Sequence, residues 1–362
     1  MKRKIGILLG VLVLLILPQL VLSDFRLSLL SKFYVFAIVA VAVNLLWGYT
    51  GILSLGHGVY FALGGYAMAM YLKLQAQPLP DFMEWSGVEV LPWFWKPFQS
   101  LPFALAMVVA LPVALSLLIG YPLFKSGTRG VYFTIISQAI TLIFSILFIG
   151  QQGYTGGTNG ITGFNGLFGL SMNDPKLIHI LYVTAFAALC GVVFLTWVGL
   201  RSHAGTIVQA LRDGETRLRF LGYGTDWFKL LMLAASAAIA GIAGALFVLI
   251  VGIISPSSMS ILMSTEFAIW VAVGGRATLL GPVAGALLVN IAKTSFSESM
   301  PDFWWYFYGS LFILTTLVFP KGIVGSVQQL LQKRKKAAAP KPQPQQEMAS
   351  LPNQVFNLSK EL

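Results

Sequence analysis

Long apolar runs alternate with short polar stretches, and the alternation repeats about ten times at membrane-crossing length, roughly 17–25 residues per run. The runs fall near residues 5–23, 30–48, 55–72, 101–120, 130–149, 177–199, 229–253, 261–275, 279–297 and 303–320. In lipid only helices and closed barrels satisfy every backbone polar group internally, and runs this long are helical. The pattern therefore predicts an all-α polytopic membrane protein of about ten transmembrane helices. The run at 261–275 is short, so the region 255–281 is expected to be broken or re-entrant. Gly48, Gly51, Gly56 and Gly58 interrupt the pattern around Ser54 and His57, which predicts a second helix break there.

Polar connections give the orientation. Lys2, Arg3 and Lys4 precede the first run, so the N-terminus is placed inside, and ten crossings return the C-terminus to the same side. This topology puts 18 of the 24 basic residues on the cytoplasmic side and leaves six for the outer side or outer membrane edge. Residues 1–23 read as a first span, although their basic start and Val21-Leu22-Ser23 also fit a cleaved signal peptide. Residues 328–362, rich in Pro, Gln and Lys, read as a disordered cytoplasmic tail.

Composition narrows the function. Only 10% of residues are charged and 57% are hydrophobic, which excludes a soluble protein. The net charge of +11 follows from the positive-inside bias, so the lipid bilayer is the expected surrounding and no nucleic-acid partner is expected. One cysteine, Cys190, rules out an internal disulfide. His57, His179 and His203 are too scattered for a metal site. No phosphate-binding loop and no catalytic grouping of side chains is present, so the chain is read as a non-enzyme without a cofactor of its own.

The most informative polar stretch is 200–229, the largest charged connection between runs. Ile207, Leu211 and Leu218 recur near helical spacing, with Arg212, Asp213, Glu215, Arg217 and Arg219 between them. An amphipathic cytoplasmic helix is predicted, followed by Gly222 and Gly224, and it suits the groove of a cytosolic partner. In the run that follows, Ala237, Gly241 and Ala245 repeat every four residues, and Gly281 and Gly285 form a second pair of this kind. Both permit close helix packing. Among the acidic residues only Glu266 lies within a run. A carboxylate there is costly, which makes Glu266 a candidate for the solute path or for a hydrated outer edge. Asn44, Ser54, His57 and Gln138 are neutral path candidates, as are Thr155 and Asn159 in the glycine-rich segment 150–176. So few charged groups favour a neutral or zwitterionic solute.

These residues carry a family resemblance. The stretches 51–66 (GILSLGHGVYFALGGY), 151–164 (QQGYTGGTNGITGF), 211–222 (LRDGETRLRFLG) and 265–285 (TEFAIWVAVGGRATLLGPVAG) resemble, in order, the LivM-type permeases of branched-chain amino acid and urea importers of the ATP-binding cassette (ABC) class. The match covers about residues 24–327, the expected permease domain, and looks most like the urea branch. The resemblance implies a bacterial inner-membrane complex. A second, homologous permease would pair with this chain, two cytosolic ATPase subunits would bind ATP, and a periplasmic solute-binding protein would deliver solute. It also implies that Arg212, Asp213, Glu215, Arg217 and Gly222 belong to the segment coupled to the ATPase. Gly214 stands where the family pattern has Asn, which removes a side-chain contact at that position. The alternatives are a branched-chain amino acid permease of the same family and a channel or secondary transporter that needs no ATPase.

Overall fold

A computed structural model describes residues 13–128 and 130–299, and beyond them only 306, 309, 310, 313, 322 and 325. The start of the run at 5–23, most of the run at 303–320 and the tail 328–362 lie outside the described residues. Residues 13–21 are helical.

Among the described residues nine longer helices follow: α1 (Asp24–Thr50), α2 (His57–Ala76), α3 (Leu101–Lys125), α4 (Val131–Gly150), α5 (Pro175–Arg201), α6 (His203–Phe220), α7 (Thr225–Val251), α8 (Ile261–Gly274) and α9 (Gly281–Ser299). Among the described residues the only sheet is a two-stranded ribbon, in which Gly166–Leu167 pairs with Leu170–Ser171. The chain is an all-α polytopic membrane protein: α1, α3, α4, α5 and α7 are each long and apolar enough to cross a bilayer.

Local chemistry sets the helix ends. Gly51 takes a left-handed φ of 80° and donates its N–H to Trp47 O at 3.1 Å, closing α1. Gly252, at φ 75°, closes α7 in the same way. Asp174 caps α5 by accepting from the Lys176 amide at 2.9 Å, and Ser260 caps α8 by accepting from the Met263 amide at 3.2 Å.

Helices α1, α2 and α7 form the centre. Helix α2 is enclosed by other helices, which is why a segment containing His57, Lys73 and three glycines can sit inside a membrane domain. Helix α4 lies outside, with Val131, Ile135, Ile143 and Ile146 exposed as on a lipid-facing surface. Small residues bring the central backbones together. A Cβ on Gly244 would stand 1.7 Å from Phe61 O, and one on Gly64 would stand 2.1 Å from Gly241 O. Helix α7 thus packs backbone to backbone on α2, and Gly241 also meets Val108 O of α3. Ala237 and Ala245 are buried on the same helix. Phe36, Phe61, Phe247, Phe267 and Trp270 form an aromatic core between α1, α2, α7 and α8, with ring centroids 4.9–5.8 Å apart.

At 14 residues, α8 is about 21 Å long, short of a hydrocarbon core of about 30 Å. It turns back tightly into α9: a Cβ on Gly285 would stand 2.0 Å from Trp270 O, and one on Gly274 would stand 1.9 Å from Gly281 O.

Candidate functional site

The polar residues marked in the sequence separate into distinct clusters. The first lies at the break between α1 and α2. His57 is fully buried; its Nε2 is 2.6 Å from Ser236 Oγ on α7 and its Nδ1 is 3.3 Å from Ser54 O. Ser236 in turn donates to Ala42 O on α1 at 2.6 Å. The broken segment is also held by α4: Thr134 donates to Leu53 O, Thr141 donates to Leu55 O, and Ser137 accepts from the Leu55 amide. Ser54 Oγ accepts from the Gly56 amide. Asn44 spans to the α8–α9 turn, accepting from the Ala277 amide at 3.1 Å and donating to Thr278 O at 3.0 Å. The hydrogen bonds of Asn44 and of His57 Nε2 thus run between elements of the fold, while Ser54 bonds within the break itself. Gln138 is half-buried on α4.

The second cluster is the charged end formed by α6 and the start of α7. Helix α6 is amphipathic: Ile207, Val208, Leu211 and Leu218 are buried, and Val208 packs with Leu45 and Tyr49 of α1. Ser202 caps it by accepting from the Gly205 amide at 3.2 Å. The helix kinks at Gly214, which is extended at φ −176°, ψ 75°. Glu215 turns inward, where one carboxylate oxygen meets Lys229 Nζ at 2.5 Å and Arg219 at 3.1 Å. Arg219 also pairs with Asp226 at 2.6 Å and donates to Thr225 at 2.9 Å. Arg212 donates to Gly48 O at 3.2 Å and pairs with Asp213 at 2.9 Å, so it fastens α6 to the end of α1. Its guanidinium holds the Asp213 carboxyl below the ordinary carboxylate range, through the hydrogen bond first and charge second. Asp213, Thr216 and Arg217 lie exposed, and Gly222 takes a left-handed φ of 84° in the exposed turn after the helix. A cavity of about 210 Å³ separates the kink from residues 50–52, Thr128 and Gly130.

At the other end, the loops gather. Thr155 donates to Phe148 O at 2.5 Å, folding its own turn, and Asn159 is exposed. Gly160, at φ 71°, lets Ile161 pair with Ile254. Lys73, with a side chain 5% exposed, donates to Asp81 at 3.1 Å and to Thr162 O at 3.1 Å, pinning two loops to α2.

Glu266 lies apart from all of these. Its side chain is 7% exposed and lines a cavity of about 420 Å³ between α1, α8 and α9. Lys293 of α9 reaches both carboxylate oxygens, at 2.9 and 3.1 Å. Lys32 of α1 lines the same cavity, its ammonium lying over the Phe36 and Phe247 rings at 5.6 and 5.9 Å. Asn290, Ser257 and Thr294 add neutral polar groups. The cavity volume falls within the range of about 300–1,000 Å³ typical of small-molecule sites.

Sequence reading missed Lys32 and Lys293. It counted them among the basic residues at the outer edge, and their signal was present: a lysine within an apolar helical run is as costly as a carboxylate. It also missed Lys229 and Ser236, because pairing across helices is invisible in a linear pattern.

Residues 25–316 match the family described as branched-chain amino acid transport system / permease component. The chain belongs to this family. Relatives include the high-affinity branched-chain amino acid transport system permease protein LivM of Escherichia coli K12, 26% identical over 93% of this chain and 78% of the relative. The protein of the same name from Salmonella typhimurium LT2 is 25% identical over 89% of this chain and 75% of its own length. BraD of Pseudomonas aeruginosa, another branched-chain amino acid permease protein by name, is 22% identical over 80% of this chain and 91% of its own. No solved structure matches. The family match takes in the helix break, the charged α6 end and the Glu266 cavity together.

Proposed function

We propose that this permease is the membrane-spanning subunit of an ABC importer in a bacterial inner membrane, that urea is its solute, and that separate cytosolic ATPases drive it. The observation that carries the transport reading is α6. One face of this charged helix is fastened to α1 and α7, while Asp213, Thr216 and Arg217 stand exposed where another protein can grip them. A force on that face reaches α1 through Arg212 and α7 through Glu215–Lys229. In this reading Glu215 holds the helix in place, and Asp213, Arg217 and the Gly222 turn meet the ATPase. The remaining partners are a second, homologous permease, a second ATPase and a periplasmic solute-binding protein.

Urea is supported by the motif pattern over 24–327 and by a cavity of mixed charge that suits a small polar molecule carrying both donors and acceptors. A second reading, transport of branched-chain amino acids, is favoured by the names of the three relatives. Uptake of labelled urea and labelled leucine by the complex reconstituted in liposomes separates them. ATP-dependent urea uptake is expected. Leucine uptake without urea uptake would replace the first reading with the second.

A further inference from the structure

Among the described residues, Lys32 of α1, Glu266 of α8, and Lys293 and Glu298 of α9 line one cavity, the first three of them within the helix bundle. Burial there is expensive unless the groups serve one another or a ligand. The Glu266–Lys293 pair accounts for one cation and one carboxylate. A carboxylate has about four lone-pair directions, so a single ammonium leaves room for further donors on Glu266. Lys32 is steadied on one side by the Phe36 and Phe247 rings and faces the same space with its remaining donors. Among the described residues, the exposed Glu298 at the cavity wall balances the charges lining it, two cations against two carboxylates. A charge-balanced site with an acceptor at one end and a donor at the other fits an uncharged solute that has paired N–H groups and a carbonyl oxygen.

We propose that Lys32 and Glu266 are the two ends of a solute subsite. Glu266 accepts a pair of N–H bonds, and Lys32 donates to the carbonyl oxygen. Lys293 orients the Glu266 carboxylate by reaching both of its oxygens. This assignment rests on the urea reading given above and adds the residues that recognise the solute.

Thiourea tests it, because its sulfur is a weaker acceptor than oxygen while its N–H groups remain. In the reconstituted complex the ratio of urea to thiourea uptake is measured for wild type, K32M and K32R. The expected result is that K32M lowers urea uptake about tenfold and thiourea uptake much less, so the ratio falls, while K32R, which retains a cationic donor, keeps most of it. A merely structural lysine would lower both solutes equally and leave the ratio unchanged, which would overturn the subsite, as would normal uptake by K32M. Should K32M fail to assemble, a Lys32→Gln variant is read by the same ratio, expected between those of K32R and K32M. A wild-type complex that carries no urea at all would overturn the urea reading, and the subsite with it.

Discussion

Two charged clusters stand at opposite ends of one bundle and are built to different ends. At the α6–α7 end, Glu215, Lys229, Arg219 and Asp226 close on one another, with Lys229 only 4% exposed, and their contacts join neighbouring helices. At the α8–α9 end, Glu266, Lys293 and Lys32 surround open space of about 420 Å³. Both clusters border a cavity, about 210 Å³ at the first and about 420 Å³ at the second; the first joins helices through its own ion pairs, and the second is the one proposed above to receive a solute.

The largest effect is expected from the loss of Glu215. E215A leaves the Lys229 ammonium buried without its nearest carboxylate, and removing one partner of a buried pair costs about 3–5 kcal/mol. A large drop in the thermal midpoint of the purified protein is expected, with much of the loss recovered in the apolar double variant E215L/K229M. An unchanged midpoint would show that the cluster does not hold the fold. Next in size is G244A, whose Cβ would meet Phe61 O; overpacking of this kind costs about 1–3 kcal/mol, read from the same midpoint.

At the other cluster the effect should fall on transport. E266Q keeps the shape but removes the charge, so urea uptake should drop about tenfold while the midpoint moves little. A large midpoint loss with normal uptake in the surviving protein would make this cluster structural too. The smallest effect concerns Asp81, whose carboxyl is held below its ordinary range by its hydrogen bond from Gln77 first and by Lys73 after desolvation is offset. Because its folded value is lowered, its contribution is present above the ordinary carboxylate value near 3.8 and is lost as pH falls through the lowered one. The pair is largely exposed on the Asp81 side, so the effect is small. Proteolysis of the 77–100 loop should rise in wild type below that pH, and D81N should show the raised rate at neutral pH.

Much of the helix plan was legible because apolar runs of membrane length leave few alternatives. The helices at 57–76, 261–274 and 281–299 were visible too, although they fall outside the set long and apolar enough to cross alone. The 57–76 and 281–299 helices carry more polar residues and glycines, whereas 261–274 is apolar but only 14 residues long. The closest approach in the small-residue stretch of α7 is at Gly244, one position before the Ala237–Gly241–Ala245 row, since spacing shows that a face can pack but not which residue meets a backbone. Glu266 was legible as an anomaly of charge in an apolar run. Its partners were not, because Lys293 is 27 residues away and Lys32 lies on another helix altogether. Glu215 read as a surface contact, yet it faces Lys229 across a turn that no periodicity encodes.

ATP-driven transport requires the α6 end to lie in the cytosol, where a separate ATPase can engage it. A C190S/R217C variant carries a single cysteine on the exposed face of α6, and a membrane-impermeant maleimide can be applied to sealed vesicles of either orientation. Labelling only in inside-out vesicles is the predicted result. Labelling from the periplasmic face would contradict both the topology and the ATPase-driven mechanism.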